Sequence, residues 1–172
     1  MHRYMPTISL LASKCDHVTE FGVREGQSTF ALLNAKTPKI ISYDLQHSTN
    51  AGLATKLAAI ENVDYTFIIG NTIEIEIEPT DLLMIDSNHT YEHLTKELQL
   101  HAGKVRKYLL FHDTVSAGKK DHRPGYKGPP IAKQGLLLAI SEFMGQHPEW
   151  TCYMNFDGPA DTYGMIILEK QQ

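Results

Sequence analysis

The run HVTEFGVREGQST (His17–Thr29) passes from a short stretch rich in β-branched and aromatic residues, through two glycines spaced G-x-x-x-G, into a segment of helical character. A strand that breaks on glycine and continues as a helix opens a βα unit, and glycine there lets the backbone approach a ligand at the mouth of a parallel sheet. The spacing differs from the G-x-G-x-x-G of dinucleotide-binding turns. Glu20 stands at the strand end, where its carboxylate would crowd a pyrophosphate with like charge but would suit a cationic ligand. ISYDL (Ile41–Leu45) ends a second strand in Asp44, about twenty residues on, where a carboxylate can accept both hydrogen bonds from a ribose diol. The plainer alternative is that Gly22 and Gly26 make a tight turn and Asp44 caps the next helix.

Outward from this unit, His17–Phe21, Lys39–Leu45, Asp64–Ile69, Leu82–Asp86 and Tyr108–Phe111 read as buried strands. Gln27–Ala35, Ala51–Ile60, Tyr91–Ala102 and Ile131–Gln146 carry helical spacing. The chain ends WTCYMNFDGPADTYGMIILEK, two strand-like runs joined by a turn containing Asp157, Gly158 and Pro159. Strand–helix alternation predicts a three-layer α/β/α Rossmann-like sandwich, one domain, with a mainly parallel seven-strand sheet and a C-terminal antiparallel hairpin. NTIEIEIEPT (Asn71–Thr80) has strand periodicity where a crossover helix belongs, and its structure is left open. The Gly-, Pro- and Lys-rich stretch AGKKDHRPGYKGPP (Ala117–Pro130) follows a strand end and is the candidate lid.

Composition narrows the function. The chain has 172 residues, 42% hydrophobic and 21% charged, and its net charge is −4, ordinary values for a globular domain. General nucleic-acid binding lacks electrostatic support. Two cysteines, Cys15 and Cys152, make neither a disulfide framework nor a C-x-x-C site, which fits a cytoplasmic setting. No apolar run approaches the roughly 20 residues that span a bilayer, so no membrane partner is expected.

HVTEFGVREGQST, ISYDL, DLLMIDSNHTYEHLTKEL (Asp81–Leu98) and YLLFHDT (Tyr108–Thr114), in this order and at these separations, resemble the class I S-adenosylmethionine-dependent methyltransferases. Within them the likeness is to the cephalosporin-hydroxylase-like and macrocin O-methyltransferase-like branch, and it covers Cys15–Thr114 and the terminal hairpin. The resemblance implies that Glu20, Gly22 and Gly26, with Ser28, line the methionine end of the donor. Asp44 and Leu45 would hold the ribose, and Gly70, Asn71 and Thr72 would approach the adenine. The implied reaction is methyl transfer to a hydroxyl of a small or carbohydrate-like acceptor, with Mg²⁺ as the candidate metal.

Asp86 ends the fourth predicted strand, and His112 with Asp113 ends the fifth, so a parallel sheet brings all three to its carboxyl edge beside the cofactor cleft. Oxygen ligands from two strands suit Mg²⁺, which lowers a hydroxyl's pKa and orients it. Asp86, His112 and Asp113 are therefore the expected metal ligands, with Asp86 also near the donor, and His89 is a candidate general base. Capping by the aspartates is the plainer reading. His89, Glu92 and His93 also spell H-x-x-E-H, a zinc-peptidase pattern that needs both histidines on one established helix. A non-catalytic Rossmann-like binding module is the remaining alternative, and a homodimer is compatible with the sequence. Trp150 reads as core, and Lys119, Lys120, Arg123 and Lys127 as a solvated run suited to an anionic acceptor.

Overall fold

The computed structural model describes residues 2–122, 134–158 and 162–171. One sheet contains β1 (His17–Phe21), β2 (Lys39–Asp44), β3 (Asp64–Ile69), β4 (Thr80–Ile85), β5 (Val105–His112), β6 (Trp150–Phe156) and β7 (Met165–Lys170). Its order is β3-β2-β1-β4-β5-β7-β6. The first five strands are parallel, while β7 runs antiparallel to both β5 and β6. The chain winds outward from β1 to β3 and then returns to the other side of β1 as β4. That reversal separates the loops leaving β1 and β4 and opens a cleft at their carboxyl ends.

Among the described residues five α-helices cover the sheet: α1 (Met5–Ala12), α2 (Gln27–Asn34), α3 (Ala51–Glu61), α4 (Tyr91–His101) and α5 (Leu136–Gln146). One core packs α1, α2 and α3 on Val18, Ile40, Leu82, Met84 and Leu110. The other packs α4 and α5 on Phe21, Ile41, Leu83, Leu109 and Phe111, with Trp150 buried at its edge. Adjacent strand residues thus serve opposite layers, the ordinary consequence of the two-residue period. Among the described residues no helix is long and apolar enough to cross a membrane.

The Asn71–Thr80 segment is neither helix nor ladder strand. It makes a turn at Thr72–Glu74 and then runs extended to β4. Ile77 is buried in the α4–α5 core and Ile75 packs against it. Glu76 and Glu78 instead face outward to Lys104 and Lys39. The alternation therefore belongs to an extended strap that covers the sheet where a crossover helix would otherwise lie.

Two other expectations change. The fourth long helix begins at Leu136 rather than Ile131: Gly135 is extended, and a Cβ there would lie 2.4 Å from Gly118 O, so the chain threads a backbone gap before it can coil. Residues 131–133 and most of the candidate lid lie outside the described residues. Helix α1 was absent from the sequence reading, although Met5, Ile8, Leu11 and Ala12 have helical spacing and Pro6 suits a first turn.

Candidate active site

The glycine turn is built around the end of β4. Gly22 has φ +84°, and a Cβ there would lie 2.2 Å from Asp86 O. The turn is bonded across the sheet on both sides, Gly22 N donating to Tyr43 O at 2.9 Å and Asp86 N to Phe21 O at 2.8 Å. Glycine is thus demanded by the protein's own backbone. The result is that the turn and Asp86 share one cleft of about 240 Å³.

Asp44 latches this turn. Its Oδ2 accepts from the backbone N–H of Val23 and Arg24 at 2.8 and 2.9 Å, and its Oδ1 accepts from Gln46 N at 3.1 Å. It does not cap the next helix, which starts at Ala51. Leu45 beside it is exposed.

Glu20 is a correction. On β1 it shares the face of Val18, turned toward α2, and it is fully buried. Its Oε1 accepts from Ser28 Oγ, and its Oε2 from Thr29 Oγ1 and Ser42 Oγ. Burial raises its pKa, with the three hydroxyls working against the shift. Strand alternation sends Glu20 under the helix, so its carboxylate does not face the cleft. Ser28 lines the cleft while donating its hydroxyl to Glu20; Arg24 and Glu25, two residues that sequence reading passed over, line it as well.

The β3 end is tied to α4 through Glu97. Gly70 leads into Asn71, whose Oδ1 accepts weakly from Ile73 N at 3.4 Å. Thr72 is buried, and its hydroxyl donates to Glu97 Oε1 at 2.6 Å. Ser87 donates to the same oxygen at 2.6 Å, and His93 Nε2 lies 3.2 Å from it. Thr72 therefore ties the β3 loop to α4 and has no hydroxyl free for an adenine ring. Glu97, unnoticed in the sequence, is the hub because it sits on the inward face of α4.

The four acid–base candidates do converge. His89 Nε2 lies 3.1 Å from Asp86 Oδ1 and 3.1 Å from Asp113 Oδ2. His112 Nδ1 lies 3.2 Å from Asp86 Oδ1 and 3.7 Å from Asp113 Oδ1. Ligand atoms of Asp86, His89 and Asp113 all lie within 4.8 Å of one another. Among the described residues this trio, with His89 instead of the expected His112, is the group whose ligand atoms lie close enough together to hold a metal ion. His112, the last residue of β5, is buried between Tyr4, edge-on at 5.3 Å, and Tyr163, stacked at 6.1 Å. Thr114 is buried.

The electrostatics follow from this pairing. Burial favours the neutral forms throughout, but ion pairing outweighs it: His112 is raised to about 9 by Asp113 and Asp86. Asp113 is lowered to about 2 by His112 and His89 despite burial, and Asp86 is lowered for the same reason. Asp113 also adopts φ +59°, a left-handed conformation that aspartate tolerates better than most residues. The start of the candidate lid packs here too. His122 N donates to His89 O, the two rings stack at 6.2 Å, and Asp121 accepts from Tyr91 N.

The zinc-peptidase motif is dispersed by the fold. His89 precedes α4 and faces the aspartates, Glu92 is exposed and paired with Lys96, and His93 faces Thr72 and Glu97. Three residues within five positions of sequence thus serve three places.

A family model described as a methyltransferase domain matches residues 19–114, more than half of the chain. The chain belongs to this methyltransferase family. The methyltransferase has solved structural neighbours of the same fold. One is a putative O-methyltransferase from Klebsiella pneumoniae (TM-score 0.71, 16% identity, covering 100% of this chain and 81% of that one). Another is an O-methyltransferase from Bacillus cereus in complex with S-adenosylhomocysteine (0.66, 14%, 98% and 81%). A third is the N-methyltransferase NodS from Bradyrhizobium japonicum (0.66, 13%, 99% and 94%). No curated protein sequence matches the methyltransferase significantly.

Proposed function

We propose that this methyltransferase moves the methyl group of S-adenosylmethionine to a hydroxyl oxygen of a small or carbohydrate-like acceptor. The observation that carries the reading is that Asp86 and Asp113, which line the cleft that the glycine turn opens, both meet His89. The acceptor O–H gives its proton to the His89 imidazole, and the imidazolium so formed sits between two carboxylates. The oxygen bonds to the methyl carbon as the carbon–sulfur bond breaks, its electron pair passing to sulfur to leave the thioether S-adenosylhomocysteine. Asp44 holds the turn in place, and its acidic edge suits the ribose diol.

The same three side chains, one imidazole and two carboxylates, fit a divalent cation. Bound there, it would supply Lewis acidity that lowers the acceptor hydroxyl's pKa, and His89 would then be a ligand instead of the base. Isothermal titration with S-adenosylhomocysteine, followed by methyl-transfer assays on phenolic and sugar hydroxyls with Mg²⁺, Mn²⁺ or chelator, tests the proposal. Micromolar product binding and transfer to oxygen are expected. Absence of binding overturns the donor, and transfer to nitrogen alone overturns the acceptor.

A further inference from the structure

Glu20 is sealed beneath α2, so the recognition of the donor's charged end falls to other residues. The described side chains that line the cleft include the carboxylates of Glu25, Asp86 and Asp113. S-adenosylmethionine brings two cations, a sulfonium and an ammonium, which these acids accommodate. It also brings an α-carboxylate, which they repel. The histidine in the lining, His112, is already engaged between Asp86 and Asp113. Among the described lining residues, Arg24 is the one guanidinium or ammonium.

Arg24 is also held for the task. It has φ +49°, an uncommon backbone for an arginine, and its N–H donates to Asp44 Oδ2 at 2.9 Å. That bond links the Arg24 backbone to the same carboxylate that latches the turn. The guanidinium itself has no partner among the described residues, and neither has the neighbouring Glu25 carboxylate, whose backbone oxygen accepts from Asn50. A surface arginine usually is a solvated charge. Here it lines the cleft next in sequence to an acid that also lines it, so the turn offers one cation and one anion to a ligand that carries both charges.

We infer that Arg24 is the specificity residue for the amino-acid end of the donor, pairing with its α-carboxylate while Glu25 takes the ammonium. The inference rests on the S-adenosylmethionine reading and deepens it. Guanidinium and carboxylate form a forked, charge-assisted pair, whereas a lysine provides only a point charge. The site therefore selects donors that keep an intact amino-acid tail.

The test compares two ligands on the full chain by isothermal titration: S-adenosylhomocysteine, and 5′-methylthioadenosine, which has the nucleoside and sulfur but no amino-acid tail. The wild type is expected to prefer S-adenosylhomocysteine. Arg24→Gln should weaken it by about tenfold or more and leave 5′-methylthioadenosine unchanged, with Arg24→Lys in between. Unchanged S-adenosylhomocysteine binding by Arg24→Gln overturns the inference while leaving the donor reading intact. Equal weakening of both ligands also overturns it, since the variant has then merely disturbed the turn. Failure of the wild type to bind either ligand removes the donor reading and the inference with it.

Discussion

Nε2 of His89 lies 3.1 Å from Oδ2 of Asp113 and at the same distance from Oδ1 of Asp86. Acceptors on both sides place the ring proton at Nε2 and fix the ring between the two carboxylates. The two aspartates come from different strand ends, so this single imidazole joins the β4 and β5 loops.

Removal of that imidazole should separate chemistry from donor binding. His89→Ala is expected to lower kcat by about a hundredfold or more, the size of a lost general base. S-adenosylhomocysteine affinity should stay within about twofold, because the glycine turn is untouched. Steady-state kinetics with titration of the same preparation checks both; a fall in affinity matching the fall in kcat would count against a role in the chemistry.

The cluster also sets how stability depends on pH. Asp113 is lowered from 3.8 to about 2, so its contribution is present above the unfolded value and is lost as pH falls through the interval between them. His112 is raised from 6.5 to about 9, so its contribution is complete below the unfolded value and is lost as pH rises toward the folded one. Without added divalent cation, Tm should decline between pH 6.5 and 9. His112→Gln should flatten that limb, as thermal melts across this range will show.

Gly22 bears on both fold and site. Gly22→Ala adds a Cβ 2.2 Å from Asp86 O at a φ of +84°. The left-handed penalty and the backbone clash together should cost about 3 kcal/mol or more. A lowered denaturation midpoint with loss of S-adenosylhomocysteine binding is expected; a neutral effect would show that the turn and Asp86 are not in register.

Glu20 should behave as a buried structural group. Glu20→Ala leaves the hydroxyls of Ser28, Thr29 and Ser42 without their shared acceptor, and about 2–3 kcal/mol of stability should be lost. Glu20→Gln keeps one acceptor oxygen and should cost less. If Glu20→Gln instead weakened donor binding at unchanged Tm, the carboxylate would have to reach the cleft after all.

Much of the fold was legible because its signals are local. Strands β1 to β5 and helices α2, α3 and α4 follow from apolar period and glycine breaks, and the parallel topology follows from their alternation. Topology then carried Asp86, His112 and Asp113 to one edge without any contact being known. The strap was not legible, because Ile75 and Ile77 alternate with glutamates as they would in a strand, and only the missing ladder partner distinguishes the two.

Residue types and spacing by themselves therefore determined the βα framework, the glycine turn, the family likeness and which strand ends hold the acids. Tertiary structure alone decided which way those side chains turn. The two-residue strand period buried Glu20 under α2, and the turn after the strand left Arg24 and Glu25 on the cleft. A loop ahead of α4 brought His89 to the aspartates, while the short 3-10 turn ahead of α1, far away in sequence, placed Tyr4 against His112. The physical reason is that a side chain's charge is written in the sequence, but its surroundings are assembled from distant segments.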